Sequence, residues 1–228
     1  DTICSDEEYY FEGQLITETG KYVVNYKSIY GCDSNVVLDI VVNPSLFIDF
    51  DSVAVACADD EELLVSYNIT SGSLYSYDAS IMLDGALYNE LFDLQPEKDA
   101  LVIPLPSGIE PGRYVLNLSF GESSCGTSGE TLPLEIYYSN TILAQRWGDV
   151  LAVTNENYNG GYEFVAYQWF KNGVLIEGAT SSILYVEEGL DLTARYSVLL
   201  TRASDNVSIM SCVAEVYDYA ESNENRVA

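Results

Sequence analysis

Apolar and polar residues alternate over short runs for most of the chain. Leu63, Val65, Tyr67 and Ile69 alternate with Leu64, Ser66 and Asn68, and Leu101, Ile103 and Leu105 alternate up to Pro106. Tyr114, Leu116, Leu118 and Phe120 alternate with Val115, Asn117 and Ser119, and Val36, Leu38, Ile40 and Val42 repeat the pattern earlier. A period of two sends successive side chains to opposite faces of an extended strand, so one set is buried and the other is solvated. Gly, Pro, Asn, Asp and Ser punctuate the runs at the short intervals of β-sandwiches. The clearest hairpin is Tyr167–Ile176, where Asn172-Gly173 supplies the two positive-φ residues of a type I′ turn. The one helical candidate is a short turn near Asp84–Phe92, ended before Pro96.

Three segments read alike: Gly20-Lys-Tyr-Val-Val-Asn-Tyr26, Gly112-Arg-Tyr-Val-Leu-Asn-Leu118 and Ala194-Arg-Tyr-Ser-Val-Leu-Leu200. Each has a small residue, a base, a Tyr and then an apolar strand. The spacing of Tyr22, Tyr114 and Tyr196 is about one sandwich module. A Tyr that opens a late strand and bonds back to the preceding corner is the tyrosine corner of immunoglobulin-type sandwiches. The pattern predicts an all-β chain of tandem immunoglobulin-like β-sandwich modules. A small Cys-paired module spans 1–44, short enough to have lost its first strands. Sandwiches follow at 45–138 and 139–218, then a loose polar tail at 219–228.

Composition narrows the function. Of 228 residues, 48% are hydrophobic and 12% aromatic, enough to build cores. Nine bases stand against 36 acids, for a formal charge of −27. Nucleic-acid binding needs clustered cations to displace counterions from phosphates, so it is excluded, and anionic membrane surfaces repel the chain. No apolar run reaches membrane-spanning length, so no membrane insertion is expected. The absence of His removes the Ser-His-Asp and Cys-His triads and the commonest zinc ligand. No nucleophile elbow or phosphate-binding loop is present, so the chain is not expected to be an enzyme.

Five cysteines, Cys4, Cys32, Cys57, Cys125 and Cys212, form no metal-like spacing. In each of the first two modules one Cys lies near the start and one follows the repeated Tyr by a similar interval. That symmetry argues for Cys4–Cys32 and Cys57–Cys125 bridges and an oxidising compartment, and leaves Cys212 without a partner. The alternative is five thiols in a reducing one.

Ile3-Cys-Ser-Asp6, Gly31-Cys-Asp-Ser34 and Leu38-Asp-Ile-Val-Val-Asn-Pro44 resemble the small Cys-paired repeats of Bacteroidetes cell-surface proteins. Gln145–Ala152, Tyr158–Tyr162 and Tyr167–Gly173 resemble the immunoglobulin-like modules of the same large exported proteins. The resemblance implies export, a bacterial cell-surface or extracellular address and membership of a larger chain; it carries no ligand. Trp169 stands where such a module keeps its core Trp, and Tyr196 where it keeps its corner Tyr. Val198 occupies the place of the second core Cys, so apolar packing must replace the inter-sheet disulfide. Asp51-Ser-Val53 resembles the O-glycosylation sequon of exported proteins in that phylum, which makes Ser52 a candidate acceptor.

Two features suggest binding. Asn155-Glu-Asn-Tyr-Asn-Gly-Gly-Tyr162 places tyrosines among amides in a loop, and Trp147 lies upstream. Flat apolar faces with polar edges suit carbohydrate or host-protein contact, so Trp147, Tyr158, Asn159 and Tyr162 are the candidate ligand residues. Asp49, Asp51, Asp59 and Asp60 would suit calcium if they converged, although no EF-hand spacing exists; no other cofactor is expected. Two function classes follow: a cell-surface binding or adhesion module, or a non-binding structural stalk.

Overall fold

The computed structural model describes residues 1–27, 29–31, 33–121, 125–126 and 128–219. Strand dominates. The first series is β1 (Thr2–Cys4), β2 (Tyr9–Phe11), β3 (Gln14–Ile16), β4 (Gly20–Lys27) and β5 (Asp33–Asn43). Here β1 runs parallel to β5, β5 pairs antiparallel with β4, and β2 pairs with β3. The second is β6 (Phe47–Phe50), β7 (Ala54–Cys57), β8 (Glu62–Ser71), β9 (Tyr77–Leu83), β10 (Ala86–Leu94), β11 (Ala100–Pro104), β12 (Gly112–Phe120) and β13 (Gly129–Tyr137). These form one sheet in the order β10-β9-β12-β13-β7 and another in the order β11-β8-β6. After a 3-10 turn at Asn140–Ile142 come β14 (Leu143–Arg146), β15 (Val150–Val153), β16 (Phe164–Lys171), β17 (Val174–Leu175), β18 (Ile183–Tyr185), β19 (Tyr196–Arg202) and β20 (Ser208–Met210). They form the sheets β14-β15-β18 and β17-β16-β19-β20, the two-sheet division of an immunoglobulin-like sandwich. The chain is all-β, with tandem immunoglobulin-like modules.

By compactness the chain divides into two units: residues 1–54, 64–103 and 115–133, and residues 55–63, 104–114 and 134–228.

In the first unit, Ile3, Ile16, Leu38 and Ile40 make a small core under β1 to β5. Val65, Leu101, Ile103, Leu116 and Leu118 are buried members of the alternating runs, and Leu46, Tyr77 and Ile81 are buried as well. Tyr77 is buried on β9 and its hydroxyl donates to the Val102 carbonyl at 2.8 Å. Asp84-Gly85 is a turn of two positive-φ residues joining β9 to β10, so the helix expected near Asp84–Phe92 is a hairpin instead. Asp-Gly is a hairpin signal that outweighs a weak helical period. The chain enters β6 through Ser45-Leu46, which threads past Gly72 and Gly126. A Cβ on either glycine would lie 2.7 or 2.8 Å from Leu46 backbone atoms. Ser45 is buried; its amide receives Ser5 Oγ as acceptor at 2.9 Å, and its own hydroxyl donates to Asp6.

In the second unit, Trp169, Leu151, Val198, Tyr196, Leu200 and Tyr138 share one core. The Trp169 indole N–H donates to the Ser181 carbonyl at 2.9 Å. Leu151 and Val198 are fully buried, so the apolar packing expected in place of the inter-sheet disulfide is present. The Asn172-Gly173 turn has φ of 52° and 75° and pairs Lys171 with Val174.

The three tyrosine corners form. Tyr22 Oη donates to the Glu18 carbonyl and Tyr114 Oη to the Glu110 carbonyl, both at 2.9 Å and four residues back. At Tyr196 the polarity inverts: its hydroxyl accepts from the Asp191 amide at 3.1 Å, five residues back. The extra residue presents an N–H to the phenol where the other corners present a C=O.

The disulfides are Cys4–Cys125 and Cys57–Cys212, each inside one unit, with sequence separations of 121 and 155. The expected Cys4–Cys32 and Cys57–Cys125 bridges are therefore corrected, and Cys212 has a partner. Spacing symmetry within modules misleads because Cys4 ends β1 beside Cys125, whose carbonyl accepts the Leu46 amide, while Cys57 ends β7 beside the segment after β20. Cys32 lies outside the described residues.

Candidate binding site

The candidate site is built on the loop between β15 and β16. Asn159 is 4% exposed and spends its whole amide on that loop. Its Nδ2 donates to the Thr154 and Tyr162 carbonyls, both at 3.0 Å, and its Oδ1 accepts from the Gly161 and Tyr162 amides at 3.2 and 3.0 Å. Gly160 and Gly161, at φ of 86° and 88°, supply left-handed turns that residues with a Cβ rarely adopt. The Tyr162 ring meets Tyr138 edge-on at 5.1 Å, and its hydroxyl donates to the Glu110 carboxylate. Glu110 also anchors the Tyr114 corner through its carbonyl.

The loop is thus fixed from inside and from the side. Tyr158 alone among its aromatics is left outside, 76% exposed. It borders two hollows. The larger, about 570 Å³, is lined by Ala144, Arg146, Ala152, Asn155 and Thr141 as well as Tyr158. The smaller, about 360 Å³, has Asp59, Glu110, Ser139, Thr141 and Tyr162 around Tyr158. Tyr158 and Thr141 line both.

The four ligand residues expected from sequence separate into two roles. Asn159 and Tyr162 hold the loop, and Tyr158 is presented by it. Trp147 sits in the turn between β14 and β15 at φ 58°, 64% exposed, and lines neither hollow.

A second set of polar contacts lies in the same unit. Arg202 donates to the Pro111 carbonyl at 2.8 Å and pairs with Asp205, also at 2.8 Å. Arg113 reaches Glu135 and the Ser208 carbonyl, both at 3.1 Å. Burial pushes the Tyr138 hydroxyl up to about 12 against the opposing charge of Arg202. Burial, then the Glu110 carboxylate, pushes Tyr162 up as well. The Arg202 hydrogen bond holds Asp205 below the usual carboxylate range. The contacts of Arg202 with Pro111 and of Tyr162 with Glu110 were not visible in sequence, because they join the third strand series to the second.

The carboxylates considered for calcium fall into separate groups. Asp49 and Asp51 line a hollow of the first unit with Phe50 and Tyr67. Asp59 and Asp60 sit with Cys57 in the second. That trio does not fit a metal: the Cys57 sulfur is bonded to Cys212, Asp60 caps the Cys57 amide at 2.7 Å, and Asp59 accepts from Ser139 Oγ at 2.7 Å. Ser52 is exposed on the bend between β6 and β7.

The two disulfides are those of a chain exported to an oxidising environment. Among the described residues no helix is long and apolar enough to cross a membrane. No family model and no curated protein matches the chain. Solved structures with a similar strand arrangement include an I-band fragment of titin, at 12% identity and TM-score 0.34, covering 87% of this chain and 74% of that one. The N-terminal four immunoglobulin domains of Dscam1 match at 13% identity and TM-score 0.27, covering 86% of this chain and 53% of that one. The BSP domain of a biofilm-associated protein matches at 12% identity and TM-score 0.29, covering 77% and 30% respectively. At these identities and scores the likeness assigns no function.

Proposed function

We propose that the chain is a surface-exposed binding module whose ligand is a carbohydrate, with Tyr158 as its anchor. The observation that carries this reading is the construction of the Tyr158 loop. Its polar groups are spent on internal hydrogen bonds, while its one exposed ring stands between two hollows. A rigid aromatic on a preorganised loop loses little entropy on binding. Its flat apolar face suits a sugar ring, and the surrounding carboxylate, hydroxyl and amide groups suit sugar hydroxyls. The resemblance to exported bacterial surface proteins supports the same setting.

A glycan array followed by calorimetry on any hit tests it. Tyr158→Ala should weaken binding at least about tenfold, a loss of about 1.4 kcal/mol or more, whereas Tyr158→Phe should retain most of it. Full binding by Tyr158→Ala would place the contact elsewhere on the module, and a blank array would favour the second reading. That reading is a structural stalk, and the covalent stapling of distant segments by both disulfides favours it.

A further inference from the structure

We propose that Asn172-Gly173 is a site of spontaneous deamidation, whereas the same dipeptide at Asn159-Gly160 is protected by the fold. Neither behaviour depends on what the chain binds.

Asn-Gly occurs twice in the chain, at 159–160 and at 172–173. It is the pairing in which an asparagine amide is most open to attack by the next backbone nitrogen, because Gly has no Cβ to obstruct the approach. The Gly nitrogen gives up its proton to solvent and bonds to Cγ of the asparagine. The Cγ–Nδ2 bond breaks, ammonia leaves with a proton from water, and a five-membered imide ring closes. Water then adds to one of the two ring carbonyls. Attack at Cγ yields aspartate; attack at the backbone carbonyl yields isoaspartate, whose main chain runs through Cγ.

The two sites differ in what the asparagine must release first. To reach its own Gly nitrogen, the side-chain amide has to leave its hydrogen bonds. Asn159 is buried and has four, two given to the Thr154 and Tyr162 carbonyls and two received from the Gly161 and Tyr162 amides. Asn172 is exposed and has one. Its Oδ1 accepts from the Arg195 amide at 2.8 Å, and its Nδ2 has no hydrogen-bond partner among the described residues.

The surroundings differ in the same direction. The Asn172-Gly173 turn leads into β17, which is two residues long and lies at the edge of its sheet. Val174 and Leu175 are both more than half exposed, so little packing resists local opening of this hairpin. At the other site, Tyr162 packs edge-on against buried Tyr138 and donates to Glu110. Isoaspartate at 172 lengthens the backbone of a two-residue turn, which the Lys171–Val174 pairing has no slack to absorb. The sheet edge at β17 thus loosens with age, while the loop that presents Tyr158 keeps its amide.

Peptide mapping by mass spectrometry tests this on the intact, disulfide-bonded chain held at mildly alkaline pH. Amide-to-acid conversion at 172 should run at least about tenfold faster than at 159, where three further hydrogen bonds must open. In urea the two rates should converge. Asp84-Gly85 can also form isoaspartate, without a change in mass, so conversion is read on the 159 and 172 peptides separately. Gly173→Ala should slow conversion at 172, and nothing lies within 4 Å of the added Cβ to disturb the hairpin.

Equal rates at the two sites in the folded chain, or faster conversion at 159, would overturn the proposal. So would an amide at 172 that persists in the folded chain for as long as the urea-unfolded chain takes to convert. An unchanged rate in Gly173→Ala would overturn it as well, since water rather than the neighbouring nitrogen would then be the attacking group.

Discussion

The chain passes from one strand series to the next at two joints, and they are built differently. At Asn43–Leu46 the backbone slips between two glycines so closely that neither tolerates a Cβ, and a Ser5–Ser45–Asp6 relay, buried at Ser45, closes the passage. At Tyr137–Ile142 the surroundings are a polar clasp: Arg202 on a carbonyl, Tyr162 on a carboxylate, Ser139 on Asp59. Each joint carries one disulfide. The first is close-packed backbone on backbone. The second is held by long side chains, which span gaps and leave space. The exposed ring and the hollows proposed to bind a ligand therefore lie at the second joint.

The largest test concerns the feature both joints share. Converting either disulfide pair to Ser should cost about 4–5 kcal/mol on the chain-entropy account, since each bridge closes more than a hundred residues. Urea unfolding of the two double variants measures this. A non-reduced peptide map yielding Cys4 joined to Cys32 would break the comparison outright.

A smaller effect separates the joints. Gly126→Ala at the first should cost about 3 kcal/mol, because φ is +89° and the new Cβ would meet the Leu46 carbonyl oxygen at 2.7 Å. Gly108 lines the hollow at the second joint and also has positive φ, but nothing lies within 4 Å of its Cβ position. Gly108→Ala should cost only about 1 kcal/mol. Equal losses in thermal unfolding would mean that the two joints are packed alike.

The smallest effect is alkaline loosening of the clasp. Tyr138 and Tyr162 have raised pKa values in the folded protein, so their contribution to stability is complete below the ordinary tyrosine value of 10.0. It is lost as pH climbs through the folded values, about 12 for Tyr138. Phenolate absorbance should show most exposed tyrosines titrating first. Tyr162→Phe should remove part of the late step. A single transition near 10 would show the clasp to be open to solvent.

Much of the fold was legible because a period of two and a corner tyrosine are local facts. The runs at Leu63–Ile69 and Tyr114–Phe120, the Asn172-Gly173 turn and the buried place of Trp169 could all be read that way. Tyr77 was not legible, though it repeats the Trp169 device of a β-strand aromatic donating to a backbone carbonyl further along the chain, 25 residues on for Tyr77 and 12 for Trp169, because Tyr is common in this chain. The disulfide partners were misread because pairing depends on which strand ends meet in space. The loop at 155–162 was legible as a loop, but the division of labour within it was not. Sequence shows Tyr158 and Asn159 as neighbours and cannot tell that one faces water while the other bonds four backbone groups.

The interleaving of the two bridges has a mechanical consequence. Along the chain the bonded cysteines fall in the order 4, 57, 125, 212, so the bridges overlap rather than nest. Pulled at Cys4 and Cys212, the shortest covalent route is the backbone from 4 to 57 followed by a single sulfur–sulfur step. That is roughly fifty residues, at most about 190 Å of slack when fully drawn out, against about 700 Å for the uncrosslinked span. Cys125 is bonded to Cys4 and Cys57 to Cys212, so the segments 4–57, 57–125 and 125–212 join the same two points in parallel, and the shortest of them caps how far the backbone carrying Tyr158 can be drawn out.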